Sequence, residues 1–220
     1  MAAREWLRDK LGEAGLAAEI DGVGNLYGRM TSAPKAIIVG SHSDTVPYGG
    51  WLDGALGVIY GLEIARCVAE SGATKLGVDV VSFQDEEGSY LGFLGSRSFC
   101  GEDVAADVAA AVGRDGKTLA SAIDDANLRG RPLARLDPAR HVAFMEAHIE
   151  QGPRLEASGT KIGVVSAIVG IKTLRVTFHG EANHAGTTPM NMRYDAGAAA
   201  LLFGADIQGK LRAAASADSV

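Results

Sequence analysis

Three continuous apolar runs stand out in an otherwise mixed chain: AIIVG (36–40), LGVDVVSF (76–83) and VAFMEAHI (142–149). Runs this short, rich in Val, Ile and Phe, predict strands buried on both faces of a sheet. Between the first two, DGALGVIYGLEIARCVAESG (53–72) carries apolar residues at helical spacing. Asp53 is placed to cap its start and Gly72 its end. Strand, helix, strand predicts a βαβ unit in an α/β fold, a mostly parallel mixed sheet with helices on both faces. Ahead of it, residues 3–14 read as an amphipathic helix with Trp6, Leu7 and Leu11 on one face and Gly15 as the stop. AAEI and NLYGRM follow as short strands.

Residues 101–140, rich in Ala, Asp, Arg and Gly, read as a surface excursion of short helices and loops. KIGVVSAIVG and IKTLRVTFHG (161–180) read as two more strands, the second alternating apolar with polar. That change from fully buried to half-exposed places a boundary near Gly170, so that 1–170 forms one domain and 171–220 begins a smaller α+β one. A helix is expected within 189–215, and ASADSV at the end is expected to fray.

Composition narrows the function. The chain has 220 residues, 47% hydrophobic and 22% charged, the make-up of an ordinary globular protein. Its formal charge is −6, with no basic block, which argues against nucleic acid and against a membrane surface. No run approaches the ~18 apolar residues of a membrane span, and the N-terminal stretch lacks the apolar centre of a signal peptide. Cys67 and Cys100 show no paired spacing, read as small core residues and fit a reducing, cytoplasmic compartment. Glycine is abundant, with 29 residues, well above the roughly 7% of an average chain. Many sit beside polar side chains, where tight turns are needed.

The polar residues that matter follow the apolar runs. AIIVG leads into His42 and Asp44, VVSF into Asp85, Glu86 and Glu87, and VAFMEA into His148, Glu150 and Gln151. Sites in open α/β sheets form beyond the carboxyl ends of strands. Any one of these clusters alone is an ordinary surface feature. Imidazoles and carboxylates converging from three strand ends point to a divalent metal such as zinc or manganese. Asp53, at a helix start, is placed to bridge two ions, and Asp44 to aim His42 by accepting its other ring N–H. His141 and His179 have no such company and read as structural. In HAGTTPM (184–190), His184 reads either as a neutral hydrogen-bond donor or as a turn histidine, with Thr187 and Thr188 capping the following helix.

Four stretches in order, GSHSDTVPYGGWLDGALGV, FQDEEGSYLGFLGSR, EAHIEQGPRLE and GEANHAGTTPM, resemble the M20 metallopeptidase-like amidohydrolases of the hydantoinase/carbamoylase branch. The resemblance implies two divalent ions, drawn from Zn, Mn, Co or Ni, held by His42, Asp53, Glu87 and His148, with Asp53 as the bridge. It implies Glu86 as the general base, Gln151 as a substrate contact, and a cis peptide at Asp53–Gly54. It also implies a homodimer in which His184, on a lid domain, reaches the partner's centre and polarises the scissile carbonyl. The implied reaction is hydrolysis of a linear ureido C–N bond, of an N-carbamoyl-L-amino acid or alternatively of allantoate or ureidoglycolate. Family members are roughly twice this length, so the remaining metal ligand and the groups that hold the substrate carboxylate are expected beyond Val220. A catalytically silent metal-binding fragment is the alternative of another class.

Overall fold

The structure, a computed structural model, describes residues 1–72 and 75–215. It divides into two compact units, Met1–Lys161 and Ile162–Val220.

In the first unit, helix α1 (Ala2–Glu13) is followed by β1 (Ala17–Ile20), β2 (Leu26–Arg29) and β3 (Lys35–His42). Then come α2 (Ala55–Glu70), β4 (Leu76–Phe83) and three short helices, α3 (Leu94–Phe99), α4 (Ala105–Ala110) and α5 (Leu119–Asp125). Strand β5 (His141–Met145) and helix α6 (Arg154–Ser158) complete it. The strands lie in the order β1-β2-β4-β3-β5. β3 pairs in parallel with both β4 and β5, while β1, β2 and β4 pair antiparallel. The βαβ unit and the mixed sheet are thus as expected.

Because successive side chains on a strand point to opposite faces, the sheet serves two cores. Val39 and Val80 join Leu7 and Leu11 of α1 and Val58 and Leu62 of α2 on one face. Ile38 and Val81 join Tyr27, Phe99 of α3 and Ala134 on the other. Helix α2 sits close to the sheet because it turns glycine toward it: a Cβ on Gly61 would lie 3.0 Å from the Val39 carbonyl oxygen of β3.

Several expectations need correction. Leu7 and Leu11 are buried, but Trp6 is 53% exposed, one helical step off the stripe. Cys67 and Cys100 are exposed, not core; on α2 the buried stripe runs through 57, 58, 61, 62 and 65, which leaves 67 outside it. The 101–140 stretch is more than a surface excursion, since Val104, Leu119, Ile123 and Leu128 enter the larger core. β5 stops at Met145, where its pairing with Val39 ends, although β3 continues to His42. The chain from Glu146 onward is thereby released toward the strand ends.

Across the sheet, from the middle of β4 to the start of β5, runs a buried polar lock. Asp79 of β4 is fully buried and receives two bonds from Arg140, Nε at 2.8 Å and Nη2 at 2.7 Å. The Tyr27 hydroxyl (2.6 Å) and the Met30 N–H (2.9 Å) add two more. The Arg140 guanidinium also donates to the carbonyls of Met30 and Ala33. His141 joins through Nε2, 3.1 Å from Asp79, while its Nδ1 accepts the Asp137 N–H. That backbone donor fixes the hydrogen on Nε2. His141 is structural, as expected.

The second unit holds a short 3-10 turn at Met190–Met192 and helix α7 (Ala196–Ala214). Asp195 caps α7 by accepting the Ala198 N–H at 3.0 Å, the role expected of Thr187 and Thr188. No strand forms over 161–180 among the described residues, and Ile162, Val164, Ile168 and Ile171 lie exposed. An alternating pattern supplies a strand's face, but its N–H and C=O groups need a neighbouring ladder, and none pairs with this stretch among the described residues. The expected fraying of ASADSV falls, from Ser216 onward, outside the described residues.

Candidate metal centre

At the end of β3, the His42 ring is buried and its Nδ1 lies 3.0 Å from the Asp44 carbonyl oxygen. A carbonyl only accepts, so Nδ1 carries the hydrogen and the Nε2 lone pair faces inward. His148, after β5, repeats the device: its Nδ1 lies 2.8 Å from the Ile149 carbonyl, and its Nε2 lies 2.8 Å from Asp53 Oδ1. The two rings are 6.0 Å apart. Orienting a ligand imidazole through its other nitrogen is what metal-binding histidines commonly do. The Asp44 group that meets the His42 ring is its backbone carbonyl. Its carboxylate Oδ1 stands 3.7 Å from Nδ1, and Oδ2 accepts the Glu87 N–H at 3.0 Å.

Asp53 does not cap α2. Gly54 holds that position, and the Asp53 carboxylate turns to the site, where Gln151 Nε2 donates to Oδ2 at 2.6 Å. The Asp53–Gly54 peptide is trans, against expectation. The sharp turn is made instead at Gly54, with φ 62° and ψ −51°, closed by the Ala55 N–H on the Asp53 carbonyl at 2.6 Å. This is a γ-turn, a strained conformation suited to glycine. A Cβ at Gly54 would lie 2.4 Å from His42 Nε2, so glycine is also what lets the histidine approach.

Two sets of donor atoms result, each lying within 4.8 Å of one another: His42, Asp53 and His148, and His42, Glu86 and Glu87. His42 is common to both. The Asp53–His148 contact lacks hydrogen-bond geometry, and Asp53 Oδ1 is buried without a hydrogen-bond partner among the described residues. A carboxylate oxygen facing an imidazole lone pair is stable only with a positive charge between or beside them. The donors, imidazole nitrogen and carboxylate oxygen, fit a divalent transition metal.

The electrostatics agree. Burial disfavours a charged His42, yet the Asp44 carboxylate and carbonyl, with Glu86 at 3.6 Å from Nε2, raise its pKa to about 9. Burial would likewise raise Asp44, but His42 and the Glu87 N–H outweigh it and hold it below the usual carboxylate range. Glu86 is raised, first by burial; His42 pulls it down, and Glu87, Asp44 and Asp53 push it up. The place is built to attract positive charge.

His184 lies in the second unit, exposed, in a turn clamped by the Arg193 guanidinium on the carbonyls of Ala185 and Thr188. Its Nδ1 accepts the Gly186 N–H at 3.1 Å, which leaves Nε2 as the ring's donor. Sequence reasoning assigned no role to Asp85 or to Asn25. Asn25 is fully buried and joins the Gln84 N–H (2.9 Å) to the Gly95 carbonyl (3.1 Å), tying the start of the Glu86–Glu87 loop to α3.

Comparison with known proteins places this geometry. The family model for peptidase family M28 matches residues 23–124. The chain is 39% identical to an N-carbamoyl-L-amino-acid amidohydrolase of Paenarthrobacter aurescens over 89% of its own length and 49% of that protein's. It is 40% identical to an allantoate amidohydrolase of Escherichia coli (strain K12) over 87% of its length and 49% of that protein's. The crystal structure of an amidase of the hydantoinase/carbamoylase family from Burkholderia phymatum superposes with a TM-score of 0.79 at 48% identity, covering 99% of this chain and 54% of that one. The chain spans about half the length of the curated relatives it matches. With the strand ends, the glycine turn and the paired histidines in hand, the chain is identified as an M28/M20-like peptidase domain, similar over most of its length to amidases of the hydantoinase/carbamoylase family.

Proposed function

We propose that this chain carries the metal centre of an amidohydrolase that cuts a linear ureido C–N bond, with an N-carbamoyl-L-amino acid as substrate. The observation that carries the reading is the buried Asp53 Oδ1, set against the inward lone pair of His148 and short of a hydrogen-bond partner. His42, Asp53, Glu87 and His148 would hold two divalent ions, with Asp53 as the bridge. Such ions, when bound, polarise a carbonyl and bring the pKa of a water toward neutrality. Glu86, half-buried beside His42, takes the proton of the attacking water and passes it to the leaving nitrogen. The carbamoyl group leaves as ammonia and carbon dioxide, and the amino acid is freed. Gln151, whose Nε2 donates to Asp53 Oδ2 at 2.6 Å, would be a substrate contact. The protein acts as a cytoplasmic homodimer. In it the Nε2–H of His184 steadies the oxyanion at the partner's centre, and residues 171–220 begin the lid that brings it there.

Allantoate is the second substrate to weigh, because the allantoate amidohydrolase is as similar to this chain as the carbamoylase is. Ammonia release from an N-carbamoyl-L-amino acid and from allantoate, measured in parallel with added Mn²⁺ or Zn²⁺, separates them. The carbamoyl amino acid is expected to turn over faster. Faster release from allantoate reassigns the substrate, and no release from either ureide under any metal contradicts the proposed reaction.

A further inference from the structure

The loop that carries Glu86 and Glu87 leaves β4 at Phe83 and is fixed at several points. Asn25 holds the Gln84 N–H from one side. Asp44 holds the Glu87 N–H from another. The Gly95 and Phe93 N–H groups also donate to the carbonyls of Gln84 (2.8 Å) and Glu86 (3.4 Å). A further anchor lies within the loop. The Asp85 side chain is buried, and its carboxylate accepts the N–H groups of Ser89 (2.6 Å), Tyr90 (3.0 Å) and Leu91 (2.7 Å). Bonds from backbone amides to a carboxylate are the strong kind. They hold a non-glycine residue at φ 55°, in the left-handed region that only a few residue types enter. The dihedrals of residue 85 decide where the next two side chains go. In this setting Glu86 Oε2 arrives 3.6 Å from His42 Nε2, and Glu87 joins the same donor set.

We propose that Asp85 is a positioning residue of the metal centre: its carboxylate, by gathering the amides of residues 89–91, sets Glu86 and Glu87 toward His42. This rests on the metal-centre reading above. Asn cannot replace it, because an amide offers one acceptor oxygen and turns an NH₂ toward backbone donors. Asp85 therefore acts on the cation through Glu87, and its effect on uptake should vanish where that route is already cut.

The test is a Co²⁺ titration of the 220-residue chain, followed by visible absorption, on the parent, Asp85→Asn, Glu87→Gln and the double variant. Asp85→Asn is expected to weaken Co²⁺ uptake about 10–100-fold, the usual effect of removing a group that orients a ligand. In the Glu87→Gln background it should add little. Unchanged Co²⁺ affinity in Asp85→Asn, or losses that add in full, would overturn the proposal and leave Asp85 a structural anchor only. Should Asp85→Asn not fold, Asp85→Ser, which keeps one oxygen acceptor, takes its place. A parent that takes up no Co²⁺ counts against the metal-centre reading, and amide hydrogen exchange then judges the proposal by itself. Faster exchange at Glu87, as well as at residues 89–91, upholds control of the loop by Asp85. Unchanged exchange at Glu87 refutes it.

Discussion

Replacing Glu86 by Gln should lower ureide hydrolysis about 10²–10⁴-fold, the usual contribution of a positioned general base, while leaving divalent-ion uptake intact. Gln has the shape of Glu and keeps an oxygen acceptor, so the substitution removes little besides the ability to take a proton. The position supports this assignment. Glu86 is half-buried, its Oε2 is 3.6 Å from His42 Nε2, and burial with three neighbouring carboxylates raises its pKa against the pull of His42. A raised carboxyl is a better proton acceptor near neutrality than an ordinary one. Steady-state ammonia release, with metal content measured on the same samples, checks both halves. Near-normal turnover in Glu86→Gln sinks the general-base assignment. A fall in turnover accompanied by loss of metal would make Glu86 a ligand instead.

The second large effect is on stability. Arg140→Met should destabilise the fold by about 3–5 kcal/mol, because removing one partner of a buried pair leaves the other charge uncompensated. Asp79 is fully buried and takes two of its bonds from Arg140. The Met30 and Ala33 carbonyls would lose their donor as well. The pH dependence follows from the same contacts. Burial would raise the Asp79 carboxyl, but the bonds from Arg140, Tyr27 and Met30 hold it below its ordinary value. A carboxyl depressed in the folded state contributes stability that is fully present above its unfolded pKa of about 3.9 and is lost as pH falls through the folded value. Without Arg140 that depression weakens, so the acid-unfolding midpoint should move to higher pH. Urea unfolding at neutral pH and an acid titration followed by circular dichroism test the two statements. A loss of less than about 1 kcal/mol would mean that the lock relaxes or admits water, as many exposed pairs do.

The parts of this protein legible in its sequence were the local ones. AIIVG and LGVDVVSF form parallel neighbours because a continuous run of β-branched residues suits only a strand covered on both faces. His42 and Glu86 were legible as strand-end residues for the same reason. Asp53 was legible as a site residue but not in its geometry: periodicity made it a helix cap, while the Gly54 turn points its carboxylate at His148 and Gln151. Arg140 and Asp79 form a pair across 61 positions, and no local pattern announces such a partner. A charged residue in the middle of a buried run, as in LGVDVVSF, was the available signal. Asp85 was hidden because adjacent acids invite a chemical reading, whereas its bonds are all to backbone amides of its own loop. The strands expected over 161–180 show the opposite limit, since a strand pattern without a ladder partner does not make a strand.

The converging imidazoles and carboxylates are proposed to hold a divalent cation. Equilibrium dialysis of the chain against Zn²⁺ and Mn²⁺, with metal analysis of the retained protein, tests it most directly when run beside Asp53→Asn and His148→Ala. The parent is expected to retain the ion and each variant to lose most of it, since each change removes a donor from the set that His42, Asp53 and His148 form. A parent that retains no ion, or variants that retain as much as the parent, would contradict the proposal.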